Sequence, residues 1–258
     1  GELQQALKLA EPDLAELNAV KEEKDRIRRE VWRKLEELGL ARFPRPVYGR
    51  IPNFIGAERA ASRLLNLREY IDARVVKVSP DSPQRYVRYR CLLDGKILIM
   101  PTPRLRRGFL ILDPSRIPRR IFERASTIRG AFRYGRIVDP EDIPRVDLIV
   151  TGSVAVSRDG VRIGKGGGYG ELEYAILREF GKVDENTPIM TNVHDIQVYE
   201  RLPSDPYDLT VDYIATPRDL IRVERRRVRP RGILWNLLDE EKLNEISLLR
   251  RLREASFR

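Results

Sequence analysis

Short apolar runs alternating with amphipathic stretches predict an α/β fold, a mainly parallel sheet covered by helices on both faces. Three observations carry this. Residues 96–100, 109–112 and 146–151 are apolar almost throughout, as strands buried on both faces are. Helical stripes with capping and stop signals lie between the runs. The hydrophobic fraction is 41% of 258 residues, enough for a sizeable core. No run approaches the roughly 18 apolar residues of a membrane span.

The elements follow in order. Asp13, with Glu16 three residues on, resembles a capping box. The helix it opens carries Ile27, Val31, Leu35 and Leu38 at helical spacing and stops at Gly39, with Lys24, Arg28 and Arg29 read as lying off that stripe. Residues 41–56 hold three prolines and two glycines and read as loop. A second helix is predicted over 57–70, with Ala60, Leu64, Leu67 and Ile71 on one face. A strand follows at 74–78. Ser82 and Pro83 then serve as N-cap and first residue of a third helix, which ends near Asp94-Gly95. Strands are predicted at 96–100 and 109–112, joined by the stiff basic connector 101–107. Another lies at 146–151, then a tight turn at 158–160 and a helix over 171–180 that stops at Gly181. Residues 188–193 and 211–215 are the last strands. From 225 the chain reads as a basic, Pro-flanked stretch. It leads into an amphipathic helix with Leu237, Leu238, Leu243, Ile246, Leu249 and Leu252, whose stripe needs a surface to cover.

Composition narrows the function. One cysteine, Cys91, excludes an internal disulfide framework and a cysteine-built zinc site, and one histidine, His194, leaves nothing for His-rich metal or triad chemistry. No signal-peptide pattern opens the chain, which predicts a cytoplasmic protein without a membrane partner. There are 40 Arg, 9 Lys and only 11 Asn plus Gln, a balance that fits a heat-adapted source or an arginine-favouring genome. Net charge is +10, which points to an anionic partner without saying whether it is RNA, a nucleotide or a polyglutamate tail. A solvated Arg-rich surface explains much of the same charge.

Residues 162–171, RIGKGGGYGE, carry the strongest local signal. Glycines allow close backbone approach to an anion, free amides at a helix start point toward it, and Lys165 adds a point charge. The pattern is neither a P-loop nor a dinucleotide fingerprint, and a flexible glycine turn is the alternative. Asp205, Asp208 and Asp212 suit Mg²⁺ shared with phosphate oxygens, or equally a capped, solvated turn. Lys24 and Arg28 sit one helical turn apart, placed to grip a triphosphate or to remain solvated. Tyr86 and Tyr89 among arginines would stack bases or pack in the core.

Lys24 to Arg28, Val146 to Val150 with Arg162 to Tyr169, and Asp208 to Asp212 resemble, in order, motifs of the 5-formyltetrahydrofolate cyclo-ligase family, also called methenyltetrahydrofolate synthetase. Ile51 to Gly56, Met100 to Arg106, Gly152 to Val156, Arg162 to Tyr174 and Pro230 to Trp235 are similar to an archaeal branch and to the related methenyltetrahydrofolate synthetase domain-containing proteins. The resemblance implies a three-layer α/β sandwich of the sugar-isomerase and CoA-transferase-like type. Its domain would span 21–222, after an extension at 1–20 and before a segment at 223–258 packed on it.

The resemblance also implies ATP, Mg²⁺ and a reduced folate. The N5-formyl oxygen would take the γ-phosphoryl group, and N10 would then close the methenyl ring and release phosphate. Lys165 and Arg162 would be the catalytic residues. Lys24, Arg28, Arg162, Gly164, Lys165, Gly166, Gly167, Gly168 and Tyr169 would hold the nucleotide. Phe54, Glu58 and Tyr169 would contact folate, and Glu171 and Asp208 would hold the metal. A monomer and a homodimer are both open. The loop departs from the family pattern: Gly167 stands for its second basic residue, Gly170 for a tyrosine and Glu171 for an aspartate. These departures, with the clusters 104–107 and 225–231, motivate the alternative of a non-catalytic nucleotide- or RNA-binding member.

Overall fold

The computed structural model describes residues 14–224, 226–235, 238 and 240–256. Asp13, Arg225, Leu237, Asp239 and most of the extension 1–20 lie outside them. The six expected strands are present as β1 Val75–Val78, β2 Ile97–Pro101, β3 Phe109–Leu112, β5 Leu148–Thr151, β8 Ile189–Asn192 and β10 Tyr213–Ala215, and two edge strands that the patterning does not mark, β4 Arg136–Val138 and β11 Leu220–Arg222, join them. They form one sheet in the order β11-β10-β8-β5-β1-β2-β3-β4. The centre is parallel, from β10 through β8, β5 and β1 to β2, and β3, β4 and β11 are antiparallel edges. A small second sheet joins β6 Ala155–Ser157, β7 Arg162–Ile163 and β9 Val198–Tyr199.

Alternation along the strands buries both faces. Val76, Val78, Leu98, Met100, Leu148, Val150 and Met190 pack with α1 Leu14–Glu37, α2 Ala57–Leu65 and α4 Arg85–Leu93. Val75, Ile99, Phe109, Ile149 and Ile189 pack with α7 Tyr169–Glu179. The short helices α3 Arg68–Ile71, α5 Phe122–Ala125 and α6 Ile128–Tyr134 complete the body. This is the expected three-layer α/β order. β1 lies between β2, which follows it, and β5, reached only after the antiparallel edge. The direction of winding reverses there, and at such a point the carboxyl ends of the strands open a ligand crevice.

Several local expectations are corrected. α1 ends at Glu37, and Gly39 takes a left-handed φ of +69°, so Leu38 leaves the helical phase and is 63% exposed. The second helix breaks after Leu65. Leu67 is extended, the phase resets, and Tyr70 is buried where Ile71 was expected. The tail forms two helices, α8 Glu240–Glu245 and α9 Ser247–Ser256, instead of one.

The tail covers the body. Ile233, Leu243, Ile246, Leu248 and Leu249 join the apolar cluster of α7. Its basic stretch turns partly inward. Arg226 pairs with Asp212 at 2.7 Å and with Glu185 at 2.6 Å. Arg229, 1% exposed, pairs with Asp212 at 2.6 Å and donates to the carbonyls of Thr187 and Thr210. Buried arginines demand such saturation. The partners differ from Glu224, Asp239 and Glu240, the nearest acids in sequence.

Candidate functional site

The glycine stretch links β7 to α7, so its loop leaves one strand and opens a helix. Gly166 and Gly168 have φ of +115° and +73°, which side-chain-bearing residues rarely adopt. Gly168 is the N-cap of α7 and makes no side-chain cap hydrogen bond to the helix's first turn. Arg162 is the spine of this loop. Its guanidinium lies between Gly164 and Gly170, where a Cβ on either would stand 3.2 and 3.3 Å from it. It donates to the Gly152 carbonyl at 2.7 Å and to Glu171 at 2.9 Å. Arg162 is therefore buried and engaged, and it shapes the loop. Lys165 projects from the loop and is exposed.

Helix α1 braces the loop from the opposite side. Arg28 donates from Nε to the Gly164 carbonyl at 2.7 Å and pairs with Asp25. Lys24 reaches Asp205 at 2.6 Å and Asp208 at 2.7 Å, and all three are buried. The Asp205 amide donates to the second oxygen of Asp208 at 2.7 Å. Lys24 and Arg28 thus lie on the buried face of α1 with Ile27 and Val31, contrary to the off-stripe expectation. Both reach the glycine loop's surroundings, and both are tied to protein groups there.

Burial pushes the Asp208 carboxyl up to about 6, and the nearby negative charge of Glu171 adds to this, against the pull of Lys24. Glu171 and Asp208 are thus close enough to act on each other. The folded pKa exceeds the usual aspartate value of 3.8, so the native state holds the proton more tightly. Stability from this group is complete below about pH 4 and is lost as pH rises through about 6. Urea unfolding between pH 4 and 7 is expected to show wild type losing about 2–3 kcal/mol relative to Asp208→Asn across that window. A constant gap between the two would contradict the assignment.

A polar floor lies at the carboxyl ends of β1, β5 and β8, and the sequence patterns gave it no role. Lys77, a lone charge inside β1, is fully buried and pairs with Glu173 of α7. Burial raises the Glu173 carboxyl. Asp81, three residues beyond β1, is also raised by burial, most strongly opposed by Lys165, then Arg88 and Arg162. Gln84 donates to Asn192 at 2.8 Å, while its own carbonyl oxygen is buried without a partner. A Cβ on Gly152 would lie 2.8 Å from that oxygen and 3.0 Å from Asp81 Oδ2. Only Lys77, set among valines, left a visible sign in the sequence.

Phe54 is fully buried, with its ring edge-on to His194 at 6.1 Å between centroids. It supports the cleft by packing and presents no open face, which corrects its place among folate contacts. His194 caps a short turn, its Nδ1 accepting from the Ile196 amide. Glu58 is exposed in the first turn of α2. Tyr169 is half-buried, and its hydroxyl donates to Glu245 of α8 at 3.4 Å. Cys91 is a core residue. Tyr86 and Tyr89 are partly buried against the same core.

A sequence model of the 5-formyltetrahydrofolate cyclo-ligase family matches residues 20–217, which include the loop, most of α1 and the 205–208 turn. The methenyltetrahydrofolate synthase domain-containing protein of Mus musculus is 45% identical over 236 residues, 90% of this chain and 63% of that protein. Its Homo sapiens counterpart is 41% identical over 243 residues, 92% of this chain and 63% of that protein. The chain therefore spans less than two thirds of the length of these relatives. The 5-formyltetrahydrofolate cyclo-ligase of Mycolicibacterium smegmatis is 26% identical over 78 residues, 30% of this chain and 37% of that protein. The NMR structure of Aquifex aeolicus 5,10-methenyltetrahydrofolate synthetase shares the fold, with a TM-score of 0.50 and 22% identity over 80% of this chain and 96% of that one. By the extent of the family match, this chain belongs to the 5-formyltetrahydrofolate cyclo-ligase family.

Proposed function

We propose that this chain is an ATP- and Mg²⁺-dependent ligase that cyclises 5-formyltetrahydrofolate to 5,10-methenyltetrahydrofolate, releasing ADP and phosphate. The observation that carries the reading is the glycine loop: it opens directly into an 11-residue helix with no side-chain cap, and it holds an exposed lysine and a buried arginine that fixes the loop's shape. That combination suits a polyphosphate. ATP supplies the phosphoryl group that makes the formyl oxygen a leaving group.

The chain's own residues position and neutralise. Lys165 meets phosphate oxygens as a point charge, and the amides of the loop take others. Arg162 and Arg28 hold the loop in that shape and act as positioning residues. Glu171 and Asp208 fit a magnesium ion by donor type, both being hard oxygen ligands. Burial is the main cause of the raised Asp208 and the charge of Glu171 adds to it, a cost that a divalent cation would relieve. The described residues hold no group of three or more His, Cys, Asp or Glu that could bind a metal. Magnesium needs none, since it is usually held by one or two carboxylates plus phosphate. Glu58, exposed at the start of α2, and Tyr169, half-buried at the start of α7, are the folate contacts that this reading retains.

The test is direct. With ATP, Mg²⁺ and 5-formyltetrahydrofolate all present, the absorbance of 5,10-methenyltetrahydrofolate is expected to rise, and omission of any one should abolish the rise. Saturable ATP binding without turnover would instead mark a nucleotide-binding member that has lost the reaction. Among the described residues no helix is long and apolar enough to cross a membrane.

A further inference from the structure

We propose that the outer edge of the large sheet binds single-stranded nucleic acid, along a strip of arginines that lies apart from the glycine loop. The inference does not depend on how that loop is read.

The net charge of +10 is not spread evenly along the chain. Residues 102–138 hold ten arginines and no lysine against two acids, Asp113 and Glu123, so +8 of the +10 falls in these 37 residues. Elsewhere bases and acids nearly match, and in the tail Arg226 and Arg229 turn inward onto Asp212 and Glu185. All ten arginines are exposed. Arg116 reaches Asp113 at 3.8 Å, and among the described residues no other of the ten forms an ion pair. A heat-adapted or arginine-favouring composition explains many arginines, but not the lack of acids beside these.

The strip is continuous along the antiparallel edge. It takes in the β2–β3 hairpin, helix α6 and the edge strand β4. Leu105, 1% exposed, anchors the hairpin, and Arg104, Arg106 and Arg107 are exposed around it. The Arg107 guanidinium stands 5.9 Å from the centroid of the Phe132 ring on α6, and that of Arg133 stands 5.4 Å from the Tyr134 ring. At Tyr134 a cleft of about 140 Å³ opens, lined also by Arg116 and Arg136 and by Ile97 and Ile111. Ile97 begins β2, which runs parallel to β1. The cleft is therefore at the end of the sheet opposite the polar floor.

Three features select the ligand. Guanidinium groups meet phosphates as forks and also stack on planar rings. The cleft has room for one planar base beside Tyr134, and base–aromatic stacking tolerates any sequence. The strip has no long projecting helix, α6 having seven residues, so it offers little to a duplex groove. A single strand can lay its phosphates on the arginines and turn a base into the cleft. A membrane surface calls for a broad apolar face, and the large apolar residues exposed on the strip are Ile128 and Ile137.

Fluorescence anisotropy on the full chain, with an RNA and a DNA strand of about twelve nucleotides each, tests the proposal. Binding is expected to weaken about 60-fold between about 50 and 200 mM salt, the slope for roughly four or five neutralised phosphates. Arg129→Gln/Arg133→Gln should lose about ten-fold in affinity and flatten that slope, because phosphate contacts are gone. Tyr134→Leu should lose about ten-fold with the slope kept, because a stacked base is lost and no charge. Thermal unfolding of both should match wild type, which separates a lost contact from a damaged fold. Arg116→Gln/Arg136→Gln, on exposed residues of the same cleft, takes the place of Tyr134→Leu if that variant unfolds early. Arg26→Gln/Arg33→Gln removes equal charge from the ion-paired face of α1 and should bind as wild type does. An equal loss in that control would overturn the proposal. So would displacement of the strand by polyglutamate or by phosphatidylserine vesicles at matched charge, equal affinity for a duplex, or no binding of either strand by wild type.

Discussion

Lys77→Met is expected to destabilise the fold by about 3–5 kcal/mol, the largest stability effect of any single substitution considered for this chain. Lys77 is fully buried in the central strand β1, and Glu173 of α7 is its partner. Methionine fills nearly the same volume, so packing changes little and electrostatics decides the outcome. Glu173 would then hold a charge with no ion-pair partner, or take up a proton that burial already favours. Either costs free energy at neutral pH. The loss should therefore shrink as pH falls and Glu173 protonates in both folded and unfolded chains. The double variant Lys77→Met/Glu173→Leu should recover most of the loss, because a buried ion pair replaced by apolar residues of similar volume is often neutral or stabilising. Urea unfolding of the two variants beside wild type reads this. A single variant within about 1 kcal/mol of wild type would show that water, and not Lys77, satisfies Glu173.

That pair also marks where the sequence stops being legible. Strands such as 109–112 read directly, because a run buried on both faces is apolar at every position. Gly39 and Gly181 read as stops because left-handed φ favours glycine at a helix end. The glycine loop and its helix were likewise visible, since glycines beside a lysine and a helix start form a local pattern. The charged scaffold around the loop was not. Lys24 finds Asp205 and Asp208 across 181 and 184 positions, and Arg28 finds the Gly164 carbonyl across 136. An apolar stripe on α1 treats such residues as surface charges, because nothing nearby in sequence could satisfy them. Arg229 and Asp212 belong to the same class, with a partner chosen by strand order instead of by adjacency. Asp81 and Gln84 follow a strand that looked complete without them. The packing of the tail against α7 was equally hidden, because the leucine stripe said that the tail needed a surface but not which one.

Lys165→Ala should lower kcat/KM for cyclisation by about 10²–10³ while leaving the unfolding transition where it is. The side chain is exposed and projects from a glycine loop, so it contributes little to the core. Its charge nonetheless opposes the raised pKa of Asp81 more than any other, so it is felt at the polar floor at the carboxyl end of β1. A cation there stabilises phosphate charge as it shifts toward the transferring oxygens, and that contribution is larger in the transition state than in the bound ground state. The loss should accordingly fall on kcat as well as on KM for ATP. Arg162→Met supplies the contrast. Arg162 holds Gly152, Glu171 and the two glycines it lies between, so its removal should lower both stability and turnover. Lys165→Arg should restore part of the rate, because position 165 needs a charge, whereas Arg162→Lys should not restore stability, since a single ammonium cannot reproduce the planar fork that those contacts use. Steady-state kinetics and thermal unfolding of the four variants separate the roles. Equal turnover in Lys165→Ala and wild type would remove the loop lysine from the reaction and, with it, the main support for phosphoryl transfer at this site.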